Sequence, residues 1–287
     1  MLRFILIFSI IASVLVSCQP SQKGESDPAW ENLFNGNDLS GWYTYQRWPE
    51  PTSEVEGMVR DEHGKYQVPI GINKDPLNVF TVVEEDGKKA IRISGEVFGI
   101  LVTEKEFENY HLRLEFKWGD EKYPPRKNDL MDSGILYHSI GAEGAWGGVW
   151  MKSLECQVIE ESTGDFICVD TTYADIPAVR ESPDKRYEYL KGAESITFST
   201  KRSYCEKDQD HEKPVGEWNV IEIYTVGNES MHVVNGKINM CASNLRYLEN
   251  GMEMPLSKGK IQLQSEGAEI FYRNIQIMPI KEIPAEI

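Results

Sequence analysis

Two apolar stretches close together in the chain carry the side chains best suited to moving a proton. His138 ends Gly134-Ile135-Leu136-Tyr137-His138, and Glu155 sits in Leu154-Glu155-Cys156-Gln157-Val158. A neutral imidazole can serve as a base or a metal ligand near neutral pH. A carboxyl can serve as acid, base or ligand. Alternate side chains of a strand point to opposite faces, so Glu155 and Gln157 share one face and Cys156 takes the other. If the two stretches are neighbouring strands, His138 and Glu155 converge, with Gln157 beside them to orient a bound molecule. Trp146 and Trp150 lie in a glycine-rich stretch and offer indoles for stacking on a ring. Gln264 and Arg273 offer hydrogen bonds from late strands. The bland alternatives are a solvated strand face for Glu155 and Gln157, a structural histidine, core tryptophans and a structural ion pair for Arg273.

Other chemistries find less support. Glu160 follows Glu155 by five positions, which puts the two on opposite faces of a regular strand unless a bulge intervenes. A two-carboxylate glycosidase built on that pair is thus an alternative that needs a distortion. Asp165 after Gly164 reads as turn chemistry. His111 shares a polar strand face with Arg113 and Glu115 and is the second-choice histidine, while His63, His211 and His232 have no partner legible in sequence. A glycine-rich phosphate loop, a serine nucleophile elbow and an HExxH motif are all absent. With 30 Lys and Arg against 46 Asp and Glu, the formal charge is −16, which repels phosphate backbones and argues against nucleic acid as a partner.

The elements that must position these residues are strands. In Tyr110-His111-Leu112-Arg113-Leu114-Glu115-Phe116-Lys117-Trp118, even positions are apolar and odd positions polar, as in a strand with one face in a core. Shorter stretches with the same period recur, and Asn235-Gly236 marks a hairpin turn. No long stretch repeats at 3.6 residues, so helices should be few and short. The pattern predicts an all-β sandwich or barrel. Residues 119–131 and 173–194, polar and proline-bearing, read as long loops over one end or face, where function often resides.

The first residues read as targeting rather than fold. Arg3 precedes the apolar run Phe4 to Val16, too short to span a bilayer, and Leu15-Val16-Ser17-Cys18 ends it. This resembles a bacterial lipoprotein signal. It implies a signal peptide over residues 1–17, lipid attachment at Cys18, a flexible tether over 18–28 and a folded domain over 29–287. The expected location is the cell envelope, on the outer membrane because Gln19 is not the Asp expected for inner-membrane retention. Cys156, Cys168, Cys205 and Cys241 remain as disulfide partners or buried thiols, and no zinc-site spacing links them.

Several phrases combine at this point: Leu33-Phe34-Asn35-Gly36-Asn37-Asp38-Leu39-Ser40-Gly41-Trp42 at the start, Asp132-Ser133-Gly134 and Glu155-Cys156-Gln157 in the middle, Glu217-Trp218-Asn219, and Phe271-Tyr272-Arg273-Asn274-Ile275 near the end. In this order they resemble the 3-keto-disaccharide hydrolase domain family over roughly residues 30–280. The resemblance implies a concanavalin A-like jelly roll, a carbohydrate partner, and cleavage of glycosides whose sugar carries a ketone at carbon 3. Three positions differ from the commoner family pattern. Asp132 stands for Asn before Ser-Gly, His138 for a strand-ending Arg, and Glu266 for His in Leu-Gln-x-His-Gly. Such chemistry needs a base for the proton on carbon 2, a group to stabilise the carbonyl oxygen and an acid at the leaving oxygen. In this reading His138 is base or metal ligand, Glu155 is acid/base or ligand, and Gln157 orients substrate. Trp146, Trp150, Gln264 and Arg273 hold the sugar. A divalent metal on His138 and Glu155 could serve the carbonyl. A glycan-binding module without catalysis is the other alternative.

Overall fold

The computed structural model describes residues 29–287. The expected signal peptide, Cys18 and the tether lie outside the described residues. Among the described residues every regular element is a strand, so the few short helices expected do not appear.

Two layers form around one core. In the first, Phe80–Glu85, Lys88–Ile93, Ala268–Pro279, Tyr110–Lys122, Asn219–Val226, Glu229–Val234 and the start of Lys237–Glu249 pair in that order, all antiparallel. In the second, Gly71–Ile72, Trp42–Gln46, Gly99–Thr103, Lys258–Ser265, Asp132–Ile140, Lys152–Ile159, Phe166–Val169 and Tyr204–Glu206 follow one another. The expected alternation holds: Tyr110, Leu112, Leu114, Phe116 and Trp118 pack inward against Leu101, Ile135, Cys156 and Leu263 of the second layer. Asn235 and Gly236 both take positive φ, 49° and 74°, which a two-residue hairpin turn needs and these residues tolerate.

Residues 173–194 are not one long loop. Thr172–Val179 and Tyr187–Tyr189 are strands within it. Ala174, Ile176 and Ala178 carry a period-two apolar face that the flanking polar residues hide. Pro177 is tolerated because the pairing to Lys237–Glu249 stops at Asp175, so that ladder asks no N–H of it, while its carbonyl accepts from the Leu190 N–H at 3.0 Å. Cys156, Cys168, Cys205 and Cys241 are all free thiols.

Candidate active site

The second layer keeps an outward face that is polar at its centre. Leu136 pairs with Glu155 and Gly134 with Gln157, so these four residues share it. Leu154 and Cys156 point the other way, into the core. Gln264, from the next strand, donates a hydrogen bond to the Glu155 carboxyl. Gly134 makes room for both: a Cβ there would overlap Glu155 Oε1 and lie 2.6 Å from Gln264 Oε1. Around this centre the loop through Gly141 to Trp150 folds down. Trp150 stacks on Phe98 at 6.4 Å, and a small apolar cluster of Ile100, Val102, Leu136, Val149 and Met151 forms beneath it.

Charge gathers at one end of this face. Arg126 Nη1 lies 2.5 Å from Asp132 Oδ2 and 3.2 Å from Glu266 Oε1. Arg126 comes from the loop 123–131, which is held down where the Tyr123 N–H donates to the Gly267 carbonyl at 2.7 Å. On the other side the Arg47 guanidinium covers the Phe98 ring at 3.9 Å, and its charge reaches Glu266. Buried polar groups in folded proteins nearly always have partners. Here Asp132 Oδ1, Gln264 Oε1, Arg126 Nε and Arg47 Nε have none. Four buried polar atoms without a hydrogen-bond partner thus gather on one face, an unusual concentration for groups that only support a fold.

The three carboxyls sit in different fields. Burial, reinforced by the charges of Glu266 and Asp132, pushes Glu155 well above the usual carboxylate range; no cation is its partner. Burial thus favours the neutral, proton-carrying form of Glu155. Burial also pushes Glu266 up, to about 7, against the opposing pull of Arg126. Its side chain keeps 17% exposure at the rim. Asp132 is raised by burial and by Glu266, with Arg126 again opposing. A carboxyl pushed toward its protonated form beside one poised near neutrality suits paired proton transfer.

Several expected site residues stand elsewhere. His138 does not meet Glu155. Its φ of +50° breaks the strand alternation, at a bulge where His138 and Ser139 oppose Ser153 alone. The ring turns between the layers, edge-on to Tyr110 at 5.8 Å and Tyr137 at 5.4 Å, fully buried with neither nitrogen hydrogen-bonded. Burial lowers its pKa to about 3, so it stays neutral. The pair expected to act as acid, base or metal ligands is not assembled. Among the described residues no group of three or more His, Cys, Asp and Glu is arranged to hold a metal ion. Arg273 lies on the outer face of the first layer, with its Nε 2.7 Å from Glu115 Oε2 and its guanidinium 3.6 Å over Trp218. It is a structural ion pair and does not line this face. Trp150 is packed, while Trp146 keeps 43% exposure. Gln157 shares the Glu155 face, and its Oε1 accepts from the Val158 N–H at 2.9 Å. Glu160 follows a regular register from Leu154 to Ile159 with no bulge to swing it toward Glu155. The carboxyls acting on Glu155 are instead Glu266 and Asp132.

Sequence reasoning missed Arg126, Arg47 and the role of Glu266. Two signals were present: Arg126 lies in a proline-marked long loop, and Asp132 and Glu266 are two of the three departures from the family pattern. The structure joins those two departures through a single guanidinium.

No curated protein matches the chain. Among solved structures it is similar to a protein from Parabacteroides distasonis described as a candidate glycosyl hydrolase (18% identity, 88% of this chain and 94% of that one, TM-score 0.45). It is also similar to a β-glucanase from Bacillus licheniformis (11% identity, 89% and 98%, TM-score 0.38) and a carbohydrate-binding module from Bacillus subtilis (11% identity, 68% and 89%, TM-score 0.39). The profile of the 3-keto-alpha-glucoside-1,2-lyase-like domain matches residues 29–278. The all-β sandwich and the match over almost the whole described chain agree, and the chain belongs to the 3-keto-alpha-glucoside-1,2-lyase-like domain family.

Proposed function

We propose that this domain cleaves 3-ketoglycosides by elimination and hydration on the Glu155 face. The ketone at carbon 3 acidifies the proton on carbon 2. Glu266, ionised, takes that proton, and the electron pair moves toward the ketone oxygen as an enolate. Arg126 and Arg47 supply positive charge at this end of the face to stabilise the oxyanion. The enolate then expels the glycosidic oxygen from carbon 1, and Glu155 protonates that oxygen as it leaves. Water adds to carbon 1 of the resulting enone and a proton returns to carbon 2, so the net reaction is hydrolysis. Gln264 and Gln157 orient Glu155 and the sugar, and Trp146 at the rim can stack on a ring.

The observation that carries this reading is the difference between two neighbouring carboxyls: Glu155 is buried without a cation, which favours its protonated form, while Glu266 is bridged by Arg126 and poised near 7. The test is to incubate the soluble domain with a 3-keto-glucoside and with its unoxidised parent, in deuterated water. Release of the leaving group from the oxidised substrate alone, with deuterium entering at carbon 2, is the expected result. Equal cleavage of both, or release without label, sinks the mechanism. Binding of both without turnover turns the reading toward a glycan-binding module.

The proposal includes an envelope location with a lipid on Cys18, read from the first residues of the sequence. Partitioning of the full-length protein into the detergent phase, lost in Cys18→Ser, is the expected outcome, and equal partitioning of both proteins removes the anchor.

A further inference from the structure

A groove of about 430 Å³ opens beside the charged end of the Glu155 face. Trp48, Pro51 and Tyr66 give it apolar walls, and Glu50, Lys65 and Gln67 give it a polar rim. Its size falls in the range of ligand sites, and flat apolar walls with a few polar groups suit a ring-bearing molecule. Two other grooves lie away from the carboxyls, one around Trp30 and Arg113 on the outer face of the first layer and one among acidic residues from Glu161 to Asp210.

The groove abuts the carboxyl cluster through Arg47. That residue's Nη2 holds Glu50 Oε1 at 2.7 Å on the groove side, while its guanidinium covers Phe98 and its charge reaches Glu266 on the other. Trp48, the next residue, keeps 39% of its surface exposed and turns part of its indole toward the groove. The ring is nonetheless fixed. It rests on Gly148, where a Cβ would lie 2.6 Å from Trp48 Cη2, and the Gly148 carbonyl accepts a hydrogen bond from the Tyr45 hydroxyl at 3.4 Å. A positioned, exposed aromatic beside Arg47, whose charge reaches the Glu266 base, offers a stacking platform for what the leaving oxygen carries, because the carbon 2 on which Glu266 acts is one bond from carbon 1.

We propose that this groove holds the leaving group, and that Trp48 selects substrates whose leaving group carries a ring, sugar or aromatic, over those without one. The assignment rests on the elimination reading above, and the polar rim of Glu50, Lys65 and Gln67 would meet the ring's hydroxyls.

The test compares three 3-keto-glucosides, with methanol, a phenol and a second hexose as leaving groups, in the wild type, Trp48→Ala and Trp48→Phe. Trp48→Ala is expected to lower kcat/KM for the ring-bearing substrates relative to the methyl glycoside by about tenfold, mainly through KM. Trp48→Phe should restore most of the ratio. The phenyl and hexosyl arms tell which ring the groove prefers. A ratio that does not change overturns the proposal. If the wild type turns over none of the three, the elimination reading fails by itself. Calorimetric binding of the unoxidised phenyl glucoside and disaccharide then decides the groove: binding weakened by Trp48→Ala supports it, and binding that is absent or unaffected overturns it. Equal melting temperatures of the variants confirm that the exposed position leaves the fold intact.

Discussion

Glu155→Gln is expected to lower kcat on a 3-keto-glucoside by about 10²–10⁴-fold while leaving the melting temperature close to that of the wild type. The two outcomes follow from one fact. The carboxyl is buried without a cation, which favours its protonated form, so an uncharged amide of the same shape fits the place of that acid. The fold loses little, and the Gln264 amide can still find a partner. The chemistry loses its proton donor. Gly134→Ala should reproduce part of the kinetic loss without removing the acid, because the new methyl occupies the space of Glu155 Oε1 and crowds Gln264. The pH dependence has a sign as well. Glu266 must be ionised to act as base, so the wild-type rate should climb as pH rises through about 7, and Glu266→Gln should abolish that limb together with most of the rate. A Glu155→Gln enzyme that keeps its rate would remove this carboxyl from the reaction.

Arg126→Met is expected to combine a loss of about 10²-fold in rate with a loss of stability that grows with pH. Arg126 is the cation that bridges Asp132 and Glu266, and Asp132 is only 3% exposed. Removing one partner of a buried pair costs about 3 kcal/mol, at the lower end of the usual range because the guanidinium side chain is partly in water. The carboxyls left behind rise further in pKa. A group whose folded pKa exceeds its unfolded value favours the folded state at low pH and loses that contribution as pH rises through the folded pKa. The variant should therefore lose little melting temperature at about pH 5, where both carboxyls can take up protons, and much more at about pH 8, where they resist ionising side by side. Changing Asp132 to Asn in the same chain should recover part of the loss at the higher pH. A deficit equal at both values would mean that Arg126 supports the loop 123–131 by packing alone.

Much of the architecture was legible from spacing. Tyr110 to Trp118 announced a half-buried strand, Asn235-Gly236 a hairpin, and Leu154 to Val158 placed Glu155 and Gln157 together on one face, and each of these has its expected geometry. The errors share a cause. His138 was placed by extending the alternation of its strand, but a single residue at +50° reverses the side on which the ring falls. Arg273 was given to the ligand because a guanidinium on a late strand can donate to sugar hydroxyls, yet Glu115, directly opposite on the neighbouring strand, claims it. The strand Thr172–Val179 was read as loop because polar residues and Pro177 mask the short alternating face of Ala174, Ile176 and Ala178.

The amino-acid order alone determined the class of fold, the family phrases and the face that Glu155 occupies, because these depend on residues two apart or in short fixed groups. The tertiary structure decided which charges surround Glu155. Arg126 and Glu266 are separated by 140 positions, and Arg126 reaches Asp132 through a loop whose course no period describes. Whether a buried carboxyl is an acid or a base depends on the low-dielectric space and the charges within a few ångströms of it, and only the packing of distant strands brings those into contact.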